Sequence, residues 1–290
     1  MSFSDFKKRS LNSIDELSKK LEETNSKESF KDERFWRPEL DKVGNGYAVI
    51  RFLPTGEGED VPWAKYYSHG FQGKGGWFIE NCPTSLGQSC PVCEANSELW
   101  NSGVESDKDI ARNRKRRLHY VSNIFVVSDP ANPENEGKIF LLKYGKKIFD
   151  KIQEAMQPEF EDEDPINPFD FWQGANFKMK VRKVAGFVNY DKSEFADPSA
   201  LLDGDDEALE ALWKKQYPLL PFVEPGAYKS HKELKTKLDR VVGDDIRSIE
   251  HKTQTLDSSP PDSNESKNTT EDSDGENMDA LSYFEKLAGD

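Results

Sequence analysis

The sequence predicts an α+β protein: a small open barrel of strands, with a metal-pinned insertion and peripheral helices. Three observations predict it. Short strand-like patterns recur at irregular spacing between residues 36 and 184, with helical patterns set among them, which suits an open barrel better than a doubly wound parallel sheet. The only cysteines, Cys82, Cys90 and Cys93, lie with His69 inside residues 69–93. Beyond about residue 250, Ser, Asp, Asn, Thr, Glu and Pro replace the apolar residues, a composition that cannot bury a core and is expected to be disordered.

Three segments follow from these shifts. Residues 1–24 carry a basic tip, Lys7-Lys8-Arg9-Ser10, and then Leu11, Ile14, Leu17 and Leu21 at helical spacing. An isolated helix this short is marginal in water, so the arm is expected to dock on something. Residues 25–250 form the core. The turn signal Gly44-Asn45-Gly46 introduces a strand over Tyr47–Leu53, and further strands are expected over Trp63–Ser68 and Trp77–Glu80. Cys93–Trp100 reads as a short helix, followed by strands over His119–Val127 and Lys138–Lys143. Asn176–Val184 alternates apolar and basic residues, the pattern of a half-buried strand with a cationic outer face. Helices are expected over Gly145–Met156, Asp206–Gln216 and Tyr228–Val242. Residues 251–290 form an acidic tail whose last stretch, Leu281–Leu287, again has apolar residues at helical spacing, as a partner-binding peptide would.

The Cys90-Pro-Val-Cys93 pair lets two thiolates grip one tetrahedral ion from a tight turn, and Cys82 and His69 can supply the other corners. Four protein ligands leave no open position for water, so such a site is structural, and thiolates favour zinc. One structural Zn2+ is expected. An odd cysteine count argues against a disulfide framework. His69 is the nearest histidine; His119, His231 and His251 lie farther along the chain.

Net charge is −14, which taken alone argues against a nucleic-acid partner. The distribution argues otherwise. Residues 251–290 hold ten acidic groups and three lysines, so half of the excess sits in the tail. Arg112-Asn-Arg114-Lys115-Arg116-Arg117 places five cations in six positions and leads into Tyr120. Tyr144 with Lys146 and Lys147 follows, then Lys178, Lys180, Arg182 and Lys183, then Phe187 and Tyr190. Cations neutralise phosphates and aromatic faces accept unstacked bases, at about 1–3 kcal/mol per base with little sequence preference. The pattern therefore favours single strands over duplex, and no major-groove helix module is evident. A polyanionic tail tethered to such a groove is expected to compete with the nucleic acid.

These residues resemble the single-stranded DNA-binding (helix-destabilising) proteins of T-even-type bacteriophages. The likeness runs through Phe6–Leu11, Gly44–Pro54, His69-Gly-Phe71, Ser89–Cys93, Asp129–Lys138, Gly145-Lys-Lys147 and Gly186–Asp191. It implies an oligonucleotide-binding (OB) barrel with a zinc subdomain over one side of a cationic cleft, and zinc ligation by His69, Cys82, Cys90 and Cys93. It implies that Lys7, Lys8 and Arg9 dock on a neighbouring protomer, giving cooperative filaments on DNA, and that the tail recruits replication and recombination proteins. It places Arg51, Arg114, Lys115, Arg116, Tyr120, Phe187 and Tyr190 at DNA-contacting positions, with Arg117 an additional cation. The cytoplasm of an infected bacterial host is the expected location. No apolar run approaches the roughly 18 residues that cross a membrane, so no membrane partner is expected.

The main alternative is an RNA-binding translational regulator using the same groove. A nuclease would need metal-binding carboxylates, and the acidic runs at Glu159–Asp164 and Asp203–Glu207 read better as solvated loops. With no Gly-rich phosphate loop or nucleophile constellation, catalysis is not expected. An adaptor that never touches nucleic acid leaves the arginine run without a purpose.

Overall fold

The structure is a computed structural model and describes residues 32–160 and 162–243. The basic arm with Lys7, Lys8 and Arg9, and the acidic tail, lie outside the described residues.

Among the described residues, nine strands and five α-helices follow in order. Strand β1 is Phe35–Trp36, β2 Gly46–Phe52, β3 Ala64–Gly73 and β4 Gly76–Asn81. Helices α1 (Pro91–Asn101) and α2 (Glu105–Arg114) precede the long β5 (Arg117–Ser128) and β6 (Ile139–Tyr144). Then come α3 (Lys146–Met156), β7 (Ala175–Val184), β8 (Phe187–Asn189), β9 (Glu194–Pro198), α4 (Asp206–Lys214) and α5 (His231–Val242).

The main path of the sheet runs β1-β6-β5-β2-β7-β8, with β3–β4 branching from β5 and β9 pairing with β7. The α+β class is as expected, but the barrel does not close among the described residues. The reason lies in β5. One of its edges serves two strands in succession, β3 along Arg117–Val121 and β2 along Ile124–Ser128. The sheet forks there, and the β3–β4 hairpin is carried away from the β2–β7 layer.

Strand β2 shows how sequence becomes layer. Asp41 accepts the N–H groups of Val43 and Asn45 at 2.8 and 2.9 Å, and Gly44 takes φ +91°. This side-chain turn launches a strand whose Ala48, Ile50 and Phe52 all point into the main core. There they meet Ile124 and Val126 of β5, Phe177 and Met179 of β7, and Ile148 and Ile152 of α3. Ile148 and Ile152 are four residues apart, hence on one face of the helix.

The β3–β4 hairpin is locked to α5 through glycines. Gly75 N–H donates to the Val241 carbonyl at 2.9 Å, satisfying the end of α5. A Cβ on Gly75 would lie 1.9 Å from the Arg240 carbonyl oxygen, and one on Gly73 2.3 Å from that of Val241. Helix α5 itself starts at a capping box between Ser230 and Glu233, three residues after the expected Tyr228.

Candidate metal centre and nucleic-acid interface

Three elements converge on the cysteines. His69 is on β3, Cys82 directly follows β4, Cys90 is the N-cap of α1 and Cys93 sits in its first turn. One ligand atom from each lies within 4.8 Å of all the others. Cys82 Sγ is 3.6 Å from Cys93 Sγ, and His69 Nε2 is 3.6 Å from Cys90 Sγ and 3.5 Å from Cys93 Sγ. A tetrahedral ion with metal–sulfur bonds of about 2.3 Å and metal–nitrogen bonds of about 2.0 Å has edges of about 3.5–3.8 Å. The group therefore has the size of a single four-coordinate site. Among the described histidines, His119 and His231 stand elsewhere, hydrogen-bonded to Ser68 and Glu94.

The electrostatics also call for a cation. Burial pulls the His69 imidazolium down, but hydrogen bonds to Cys82, Cys90 and the Arg114 carbonyl outweigh it and raise the pKa to about 9. Hydrogen bonding from Cys90 and Cys93 pulls the Cys82 thiol strongly down, while Cys82 and Cys90 push the Cys93 thiol strongly up. Alone, the group balances a thiolate against an imidazolium. A bound dication supplies the charge that lets the thiols ionise and the ring lose its proton. The N-terminus of α1 points at Cys90 and Cys93, and its dipole favours thiolates.

The outer contacts of this centre lead into the arginine run. His69 Nδ1 hydrogen-bonds the Arg114 carbonyl at 2.9 Å, which leaves Nε2 for a metal. Arg114 ends α2, Lys115 caps it, Arg116 bridges and Arg117 opens β5 opposite Ser68. The Arg114 guanidinium lies 5.5 Å from the Phe71 ring and that of Arg116 4.4 Å from the Tyr67 ring, both cation–π distances. Arg116 Nη1 also donates to Thr84 Oγ1 at 2.7 Å.

From Arg116 a strip of neighbours continues. Tyr120 is raised in pKa by burial, then by the charges of Tyr67 and Asp150 against that of Lys146. Its ring stacks on Phe149, at the end of the first turn of α3. Lys146 and Lys147 occupy that turn, which holds no acidic residue, so helix dipole and lysines both favour anions. Lys147 reaches Asp191 at 3.7 Å, next to Tyr190, and the β7–β8 hairpin beyond ends in Phe187, 78% exposed. Arg114 and Arg116 thus lie on the face of Tyr67, and Lys147 links the start of α3 to the Tyr190 and Phe187 hairpin, whereas Arg117 alternates to the opposite face of β5, beside His119 and Lys143.

Three expected contact residues are elsewhere. Arg51 is fully buried; its Nη2 donates to Ser199, and Nε and Nη1 have no acceptor. Strand β2 has both faces covered, and Arg51 lies on the side closed by residues near Ser199 and Gly174. Tyr120 is 4% exposed, stacked on Phe149 at 3.9 Å and on Tyr144 at 5.7 Å, so both ring faces are taken. Tyr144 is also 4% exposed, with its hydroxyl 2.9 Å from Ser122. A base cannot reach these rings in this conformation, and the three are packing residues here. Two residues that sequence reasoning missed are Tyr67 and Thr84. Tyr67 stands two positions from His69 and shares its face of β3, so strand alternation alone marks it.

Comparison with known proteins matches the same span. A family profile described as gp32 DNA binding protein like covers residues 44–242. The single-stranded DNA-binding protein of Enterobacteria phage T2 is 42% identical over 221 residues, 74% of this chain and 72% of that protein. The single-stranded DNA-binding protein of Enterobacteria phage T4 is 40% identical over 236 residues, 79% of this chain and 77% of that protein. That of Escherichia phage SV14 is 45% identical over 78 residues, 26% of this chain and 69% of its own length. The matched span holds the metal group, the arginine run and every strand and helix from β2 to α5, and the chain belongs to the gp32-like DNA-binding protein family.

Proposed function

We propose that this protein coats exposed single-stranded DNA, with no chemistry on the strand. One observation carries the reading: in a chain of this family, Arg114 and Arg116 are tied to the metal group and to Tyr67, on strands whose register leads through Tyr120 and Tyr144 to Lys146 and Lys147 at the start of α3. Arg114, Lys115, Arg116, Arg117, Lys146 and Lys147 neutralise phosphates and release counterions. Phe187, Tyr190 and Tyr67 offer ring faces to bases. Coating withdraws single strand from its equilibrium with duplex, so duplexes are destabilised by mass action. The open sheet serves as an OB-type platform, and the metal is one structural Zn2+ held by His69, Cys82, Cys90 and Cys93. Zinc stiffens the hairpin and helices that carry the arginine run.

The basic arm, with Lys7, Lys8 and Arg9, docks on the next protomer and makes binding cooperative. The acidic tail recruits replication and recombination proteins in the host cytoplasm. Deleting residues 1–24 is expected to abolish the steep isotherm on long poly-dT while leaving affinity for a single-site oligonucleotide within about twofold of the full chain. An equally steep isotherm without the arm contradicts that role.

Titration of fluorescent oligo-dT at several salt concentrations, against oligo-U as competitor, tests the whole reading. Tight binding in dilute buffer that falls steeply with salt is expected. No binding to oligo-dT overturns the proposal, and a strong preference for oligo-U replaces it with the RNA-binding regulator.

A further inference from the structure

We infer that Thr84 is the positioning residue through which the metal centre sets the geometry of Arg116. The inference rests on the single-strand reading above. Thr84 lies in the 3-10 turn Pro83–Leu86, directly after the ligand Cys82. Its Oγ1 is 3.1 Å from Cys82 Sγ and 2.7 Å from Arg116 Nη1. Donor chemistry with a thiolate at Cys82 fixes the direction of this chain. Arginine can only donate, so the Thr84 oxygen accepts from Arg116, and a metal-bound Cys82 sulfur has no proton to give, so it accepts the Thr84 O–H. A guanidinium N–H, a hydroxyl and a thiolate thus run in series, an order in which each bond polarises the next.

The consequence runs both ways. A metal-bound thiolate at Cys82 orients the Thr84 hydroxyl, which then holds Arg116 over the Tyr67 ring at 4.4 Å. Among the described residues Thr84 is the one hydrogen-bond acceptor of the Arg116 guanidinium. That leaves the rest of an exposed planar fork for a phosphate. With the metal removed, the loop bearing Cys82 and Thr84 loses its anchor, and Arg116 loses its direction. A hydroxyl at position 84 therefore tunes metal retention from outside the ligand set and couples it to strand binding.

The test uses the full chain with Thr84→Val, which keeps shape and removes the hydroxyl, Thr84→Ser, which keeps the hydroxyl, and Arg116→Ala. Metal affinity is read by competition with a chromogenic chelator. Oligo-dT affinity is read for metal-loaded and chelated protein. Thr84→Val is expected to bind one ion about tenfold more weakly, and to lose about three- to tenfold in oligo-dT affinity when loaded. The ratio of loaded to chelated affinity shrinks with it, and Thr84→Ser restores all three quantities. Arg116→Ala is expected to weaken metal retention with no DNA present, by reciprocity. This arm stands even where the wild type ignores oligo-dT, so the inference and the single-strand reading fail separately. Wild-type metal and DNA affinities in Thr84→Val overturn the inference. So do losses from Thr84→Val and Arg116→Ala that multiply in the double variant, since independent residues do not share a coupling.

Discussion

His119 is a titrating residue outside the metal set, and its surroundings make stability depend on acid. Burial, and after it the charges of Lys143 and Arg117, lower its pKa to about 4. An unfolded histidine titrates near 6.5. Between those values the unfolded chain binds more protons than the native one, so stability rises with pH across the window. The contribution is fully present above about pH 6.5 and is lost as pH falls towards about 4. The full shift corresponds to about 3 kcal/mol, which solvent access to the ring reduces to about 1–2 kcal/mol. His119→Gln is expected to flatten the slope of unfolding free energy between pH 6.5 and 4 by that amount, measured by urea denaturation of zinc-loaded protein. An unchanged slope assigns the acid sensitivity to other groups. At this scale the ligand set was legible because cysteines are few and C-x2-C fixes their spacing. Arg51 and Tyr144 were not. Strand alternation says which residues share a face, but which face is covered depends on Ser199 or Phe52, far away in sequence.

At the scale of elements, the strands beneath the main core follow from two-residue periodicity, because each has an apolar face and a polar one. Asn176–Val184 is the clearest case: Phe177, Met179 and Val181 are buried, and Lys178 and Lys180 lie on the other face, only partly exposed. Helix α2 was missed because it buries only Ala111 and so has no apolar stripe. Its signal was charge. Acidic Glu105 and Asp107 open it, Arg112 and Arg114 close it, and Arg112 bridges to Glu105 and Asp109 at 2.9 and 2.5 Å. The order suits the helix dipole. The two-residue β1 and the short β8 and β9 are too brief for any period to register. The docking of α5 on the β3–β4 turn is likewise a matter of backbone approach, invisible to side-chain patterns. Gly75→Ala would drive a methyl group into the Arg240 carbonyl. The variant is expected to lose about 1–3 kcal/mol of stability, the cost of overpacking. It is also expected to loosen the hairpin that carries His69, which hydrogen exchange of the Gly75 and β4 amides would report as faster opening. Exchange and denaturation midpoints equal to wild type would show that the turn relaxes freely.

Across the whole molecule, net charge and binding surface oppose each other. A chain of −14 repels a polyanion at long range, yet the proposed contacts are cations clustered in residues 114–117 and 146–147. Screening length decides between them. At physiological ionic strength the Debye length is about 8 Å, so charges farther than that from the strand are largely screened while guanidinium–phosphate contacts at hydrogen-bond distance are not. Repulsion affects mainly the approach of the strand in dilute salt, and contact controls the equilibrium. If repulsion dominated, added salt would raise affinity. If contacts dominate, log K falls with log salt at about −0.7 for each neutralised phosphate. Arg117 is exposed and has no carboxylate partner among the described residues, so removing its charge should subtract one contact and disturb little of the fold. Arg117→Gln is expected to weaken oligo-dT binding and make the salt slope shallower by about 0.7, with metal content unchanged. A slope equal to wild type would place Arg117 off the strand's path, and a slope that reverses sign would mean that the acidic excess governs binding.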